Sequence, residues 1–199
     1  VGAYFPITAD YGDPELQKDI KRIYEAMRQK VLNASGFDVV DRLYFSNYEG
    51  LPIPAHMKTH NLEWLTEGAL NFIDENKAQP FFLYFAITAP HGQYFEDWME
   101  RDWRATPAGM LTEKPNRMPP RESVLERVSA AGIPLQNSMA TWIDDSLGAL
   151  LKKLDETGLA ENTIVLLLSD HQSRGKLTVY EGSRAPAVMR WPGRISAGA

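Results

Sequence analysis

The sequence predicts an α/β fold built on a mostly parallel central sheet with helices on both faces. Residues 81–88 (FFLYFAIT) and 163–169 (TIVLLLS) are short continuous apolar runs, the pattern of strands covered on both faces. Each follows a stretch with helical spacing, and helix leading into buried strand is the α/β order. With 44% apolar and 24% charged residues among 199, the chain has the composition of a globular domain with one sizeable core.

The elements follow in order. From residue 14 to 32 the positions Leu16, Ile20, Ile23, Ala26, Met27 and Val31 keep helical spacing, with Asp13 as N-cap and Pro14 at the first helical position. Residues 37–45, rich in Val and aromatics, predict a strand or extended segment, and 47–54 carry turn residues. Asn61 is placed to cap a second helix running to about Glu75. Its buried side would hold Leu62, Leu65, Ala69, Leu70, Phe72 and Ile73. The apolar run 81–88 comes next. From 92 to 134 periodicity disappears and prolines punctuate the chain, which predicts a long loop region shaping substrate access. A helix over 136–156 places Met139, Trp142, Ile143, Leu147, Leu150, Leu151 and Leu154 on one stripe and ends at Gly158. The run 163–169 and a third strand over 187–191 complete the series before the Pro192-Gly193 turn.

Composition removes several function classes. The balance of 21 Lys+Arg against 26 Asp+Glu, net −5, has no basic block, so neither nucleic acid nor an anionic membrane surface is the expected partner. The apolar runs fall well short of the roughly 20 residues a membrane span requires. The absence of cysteine excludes disulfides, Cys-ligated zinc and a thiol nucleophile carried by this chain.

Ligand sites in open α/β sheets lie at the carboxyl ends of strands, so the residues just past each apolar run come first. The first run is followed by Ala89-Pro90-His91, the second by Asp170-His171-Gln172, with Lys176 five residues beyond His171. An Asp beside a His suits a divalent cation when more oxygen ligands converge on it; an isolated pair is more often a turn cap and an exposed imidazole. His56 and His60 have i, i+4 spacing but lie in a Pro-bearing loop with no Glu after His56, leaving His60 as a substrate-rim candidate at most. Asp144 and Asp145 fall on a solvated helix face. Tyr94, Trp98 and Trp103 either stack on a sugar or aryl ring or pin the long loop to the core.

The spacing Asp170-His171-(x4)-Lys176-(x3)-Tyr180-Glu181-Gly182, with Arg184-Ala185-Pro186 and Arg190-Trp191-Pro192-Gly193 after it, resembles the second half of the sulfatase catalytic domain, within the alkaline-phosphatase-like superfamily. Upstream, Ala69 to Ile73 leading to Pro80-Phe81-Phe82-Leu83-Tyr84 and Ala89-Pro90-His91 is similar to that family's central helix, strand and active-site histidine. Trp142 to Gly148 and Leu159 to Thr163 resemble the helix and loop before its metal-binding strand. The match runs from about Leu62 to Gly198 and is weak over 1–60.

The resemblance implies part of an alkaline-phosphatase-like sandwich. It makes Asp170 and His171 ligands of one calcium ion, together with acidic residues from the domain's first strand. It makes His91 and Lys176 the groups that contact the sulfate and its bridging oxygen, and hence the candidate proton donors to the departing alkoxide. Gln172 stands where the family commonly has Gly, and is a candidate hydrogen-bonding residue at the substrate rim. The implied nucleophile is a formylglycine made from Cys or Ser in a C/S-x-P-x-R motif, which this sequence does not contain. Motif and first-strand carboxylates both precede residue 1 in the family order. The expectation is therefore that residues 1–199 are an internal part of a longer catalytic domain, inactive alone and partnered by its missing N-terminal part. The implied substrate is a sulfated carbohydrate or an aryl sulfate, and the implied compartment periplasmic, secreted or lysosomal. Phosphodiester or phosphonate-ester hydrolysis, and a non-catalytic binding protein, stand as the alternatives.

Overall fold

The computed structural model describes residues 10–45, 59–91, 101–170 and 185–198. They fall into two compact units, 1–150 and 151–199. No helix among the described residues is long and apolar enough to cross a membrane.

In the first unit, α1 (Pro14–Ser35) starts where its cap chemistry dictates: the Asp13 carboxylate accepts from the Glu15 and Leu16 amides, and Pro14 occupies the first turn. It stops at Gly36, whose φ of 76° is the left-handed conformation that a C-terminal residue without Cβ adopts most readily. The buried residues of α1 are Ile20 and Tyr24. The Tyr24 hydroxyl accepts from the Leu43 amide at 2.9 Å, tying the extended stretch 37–45 to the helix. That stretch forms no strand.

Helix α2 (Leu62–Asn76) is the centre of the unit. Asn61 caps it through the Trp64 amide, while its Nδ2 donates to the carbonyls of Trp103 and Ala105. One side chain thus starts a helix and holds a distant loop. Leu62, Trp64, Leu65, Thr66, Ala69, Leu70 and Ile73 are all buried, a wider arc than one stripe. Phe72, placed in the buried set by its spacing, is only half-buried and meets Phe81 edge-on.

The segment 92–134, read from sequence as aperiodic, contains regular structure. A short hairpin joins β1 (Ala105–Thr106) to β2 (Gly109–Met110), and α3 (Glu122–Ala130) packs Val124 and Val128 into the core. Its apolar positions Val124, Leu125 and Val128 span little more than one turn, too short a pattern for a periodicity to stand out between prolines. Helix α4 (Ser138–Glu156) follows a short 3₁₀ turn, Leu135–Asn137, and buries Met139 and Trp142 against α2 and α3 side chains.

Among these helices lies a buried ion pair. Glu63 and Arg121 are 3–4% exposed and joined by two bonds, Nε to Oε1 at 2.9 Å and Nη2 to Oε2 at 2.5 Å. The Trp142 indole donates to the same Oε1 at 3.2 Å, and the Arg121 guanidinium lies 5.0 Å from the Trp142 ring centroid. Thr66 and Ser146, both buried, make a second polar link between α2 and α4 at 2.7 Å.

Two expectations for the apolar runs need correction. Residues 81–88 are extended but pair with no strand among the described residues, and they alternate rather than being covered on both faces. Phe85 and Ile87 pack on the core, while Phe82 and Tyr84 are 73% and 70% exposed. In the second unit, β3 (Val165–Leu168) pairs with β4 (Ala187–Arg190), and the pairing is antiparallel, with Val165 opposite Arg190 and Leu168 opposite Ala187. Leu166 and Leu168 stay more than half exposed. A two-stranded ribbon covers one edge and neither face, so an apolar run does not by itself bring its cover with it. The described residues therefore form a mixed helix and strand structure with short antiparallel strands, and the mostly parallel sheet is not among them.

Replacing Glu63 by Leu should lower unfolding free energy by about 3–5 kcal/mol, since it leaves the Arg121 charge buried without its partner. The double variant Glu63→Leu/Arg121→Met should be more stable than Glu63→Leu alone; urea unfolding of single and double variants measures both. A second expectation concerns Tyr24, whose phenol burial pushes up to about 12 from the ordinary 10. Because the folded value lies above the unfolded one, this group's contribution to stability is present below pH 10 and lost as the pH rises toward 12. Phenolate absorbance of the parent should show one late step that Tyr24→Phe removes.

Candidate active site

Of the five residues expected to contact the sulfate, the substrate rim or the calcium ion, the structure describes two, His91 in the first unit and Asp170 in the second. His171, Gln172 and Lys176, with His56, Tyr94 and Trp98, lie outside the described residues.

His91 sits on a turn at the end of the extended run. Its amide donates to the Thr88 carbonyl at 3.1 Å, and the turn contains the cis Ala89–Pro90 bond. Ala89 is buried in the main cluster, whereas His91 itself is exposed. The apolar side of 81–88 thus anchors the turn and leaves its histidine open to solvent.

His60 departs from its expected place at a substrate rim. It is 4% exposed, and its ring bridges both ends of the His91 turn. Nε2 lies 2.7 Å from the His91 carbonyl oxygen and Nδ1 against the Thr88 hydroxyl. A carbonyl only accepts, so Nε2 carries the proton, and in a neutral ring Nδ1 accepts from Thr88. Nothing in the local sequence signals this role, because the partners lie 28 and 31 residues away.

Two further side chains depart from expectation. The Asp145 carboxylate, read as part of a solvated face, is 8% exposed and held by both terminal nitrogens of Arg127, at 2.9 and 2.5 Å. The ion pair holds the Arg127 guanidinium above its ordinary value through that hydrogen bonding. Asp144 beside it is exposed, as expected. Trp103 is half-buried with its carbonyl bonded to Asn61, which pins this part of the loop to α2.

In the second unit Asp170 is exposed one residue past Ser169, whose amide donates to the Pro186 carbonyl at 3.1 Å. Trp191 closes the same unit by donating from its indole to the Glu161 carbonyl at 2.9 Å, and Arg190 pairs with Asp155 at 3.2 Å. A calcium ion takes six to eight oxygen ligands, mostly carboxylate and carbonyl. Among the described residues no group of three or more His, Asp or Glu side chains gathers to hold a metal, so they do not by themselves compose such a site.

A cleft of about 570 Å³ lies between the end of α1 and the start of the extended run, lined among others by Phe37, Asp38, Phe72, Asn76 and Phe82. It is at the opposite end of 81–88 from His91.

The sulfatase family model matches residues 11–199. N-acetylgalactosamine-6-sulfatase of Mus musculus is 32% identical over 171 residues, 76% of this chain and 28% of that protein. Arylsulfatase of Hemicentrotus pulcherrimus is 28% identical over 149 residues, 67% of this chain and 22% of that one. Endo-4-O-sulfatase of Bacteroides thetaiotaomicron is 28% identical over 131 residues, covering 59% and 25%. The chain spans about a quarter of the length of these relatives. Matched along nearly its whole length, the chain belongs to the sulfatase family.

Proposed function

We propose that this chain forms part of the catalytic domain of an enzyme that hydrolyses sulfate esters of a carbohydrate or an aryl alcohol, and that it is inactive without the rest of that domain. The observation that carries the reading is the family match over residues 11–199, within which an exposed histidine stands on a core-anchored turn.

In this reading His91 and Lys176 contact the sulfate. Both are suited to offset its negative charge, and a protonated imidazole or ammonium can pass a proton to the bridging oxygen as the sulfur–oxygen bond breaks, so that the alcohol leaves neutral. Gln172 is placed at the substrate rim as a hydrogen-bonding amide. The nucleophile, a formylglycine in this reading, is supplied from outside this sequence, which contains no cysteine. Asp170 and His171 are proposed as ligands of one calcium ion, which when bound would add positive charge against the sulfate.

General-acid catalysis has a kinetic signature. A proton donor matters more as the leaving group becomes poorer, whereas a pure sulfate clamp costs the same for every ester. In the full-length enzyme at least one of His91→Ala and Lys176→Ala should therefore lose more rate on an alkyl or sugar sulfate than on nitrophenyl sulfate. Equal losses on both substrates in both variants would leave these residues as sulfate clamps only. For the metal, Asp170→Ala should weaken calcium binding in a calorimetric titration while Asp144→Ala leaves it unchanged. Equal affinity in Asp170→Ala and the parent would place the ion elsewhere.

A further inference from the structure

We propose that His60 is a positioning residue for His91: a buried imidazole that clamps the active-site turn from behind and sets the direction of the catalytic imidazole. The inference rests on the reading of His91 given above and adds a residue to it.

Three observations carry it. First, His60 spans the turn rather than touching one point of it, with Nε2 on the His91 carbonyl and Nδ1 on the Thr88 hydroxyl. The Thr88–His91 turn has its own closing bond, so the ring fixes the turn as a unit. Second, His60 is 4% exposed while His91 is exposed, so it cannot itself meet a substrate and acts only through its neighbour. Third, its own backbone is held: Thr59, His60 and Asn61 are all buried, the Asn61 amide donates to the Tyr44 hydroxyl at 2.9 Å, and the Asn61 side chain caps α2. The rigid start of α2 is thereby connected through one ring to the backbone of His91. A carbonyl oxygen held at 2.7 Å fixes the peptide plane from which the His91 side chain's own residue hangs. Small displacements of a proton donor relative to its target are costly, about 100-fold for an error of about 1 Å.

The two ring nitrogens make the proposal separable from a general packing role. Glutamine places an amide nitrogen where Nε2 of histidine lies and can donate to the His91 carbonyl. Asparagine reaches only as far as Nδ1 and can meet Thr88 but not His91. In the full-length enzyme, at a temperature where each variant is folded by circular dichroism, H60Q should keep kcat/KM on a sulfate ester within about threefold of the parent. H60N should lose about 10- to 100-fold, and H60L the same where it folds. The ratio of losses on alkyl and nitrophenyl sulfates in H60N should follow the ratio seen in H91A, since the same imidazole is misplaced in one and missing in the other. A variant that merely lowered the folded fraction would lose the same factor on both.

If H60N is as active as the parent while H91A is not, the positioning role is overturned and the reading of His91 stands. The same holds if folded H60Q falls as far as H60N, because then the bond to the His91 carbonyl is not what matters. Should H91A keep full activity, the reading of the site fails, and the role of His60 with it.

Discussion

The first unit depends on a charge pair taken out of water. Glu63 near the start of α2 and Arg121 just before α3 are both nearly inaccessible, and the Trp142 indole from α4 joins them through Oε1 and its ring face. Three helices from separate stretches of sequence thus meet at one carboxylate. Such a pair adds little net stability over a well-packed apolar cluster, but it forbids alternatives: any packing that separates the two charges strands one of them in a low-dielectric interior. Even in place, Arg121 Nη1 has no hydrogen-bond partner among the described residues, so the arrangement tolerates one unsatisfied donor to hold its geometry.

From that centre the candidate site is reached in short physical steps. The ion pair sets α2 against α3 and α4. Its start is defined by Asn61, which is also bonded to the 103–105 backbone and followed in the chain by the helix that Trp64 and Leu65 bury. His60 immediately precedes this cap, and its ring holds the turn bearing His91. Position is transmitted from a buried core to an exposed imidazole through backbone carbonyls and one ring, without a mobile side chain between them. Arg42 adds a brace on the other side of α2. Its guanidinium bonds the Trp64 carbonyl and Glu67, and Gly68 leaves the room its side chain occupies, since a Cβ there would overlap it.

The polar surface of the molecule follows a different logic from its interior. Pairs such as Lys18–Glu15 and Arg22–Asp19 on α1 are exposed and separated by one helical turn, and contribute a few tenths of a kcal/mol each. Arg127 and Asp145 stand between the two regimes: a bidentate bond that covers the carboxylate while the guanidinium remains partly in water. This explains why adjacent aspartates on one helix have different environments, with Asp144 solvated and Asp145 covered.

Local chemistry was legible in the sequence by itself. The Asp13 and Asn61 caps, the Pro14 start, the Gly158 stop and the bounds of the long helices are written in residues within one turn of where they act. The order of motifs around His91 and Asp170 was equally legible, and with it the family. Tertiary structure decided whatever depends on a partner far along the chain. An apolar run such as 81–88 states that its side chains seek cover but not which face receives it, and Phe82 and Tyr84 are left outward while Phe85 and Ile87 turn inward. Leu166 and Leu168 are exposed because the strand beside them, β4, meets them edge to edge. The burial of Glu63 beside Arg121, 58 residues later, and of His60 beneath His91, 31 residues later, has no local signature. Caps and periodicities are short-range consequences of backbone geometry, whereas a buried charge or a clamped turn exists only when distant segments exclude water together.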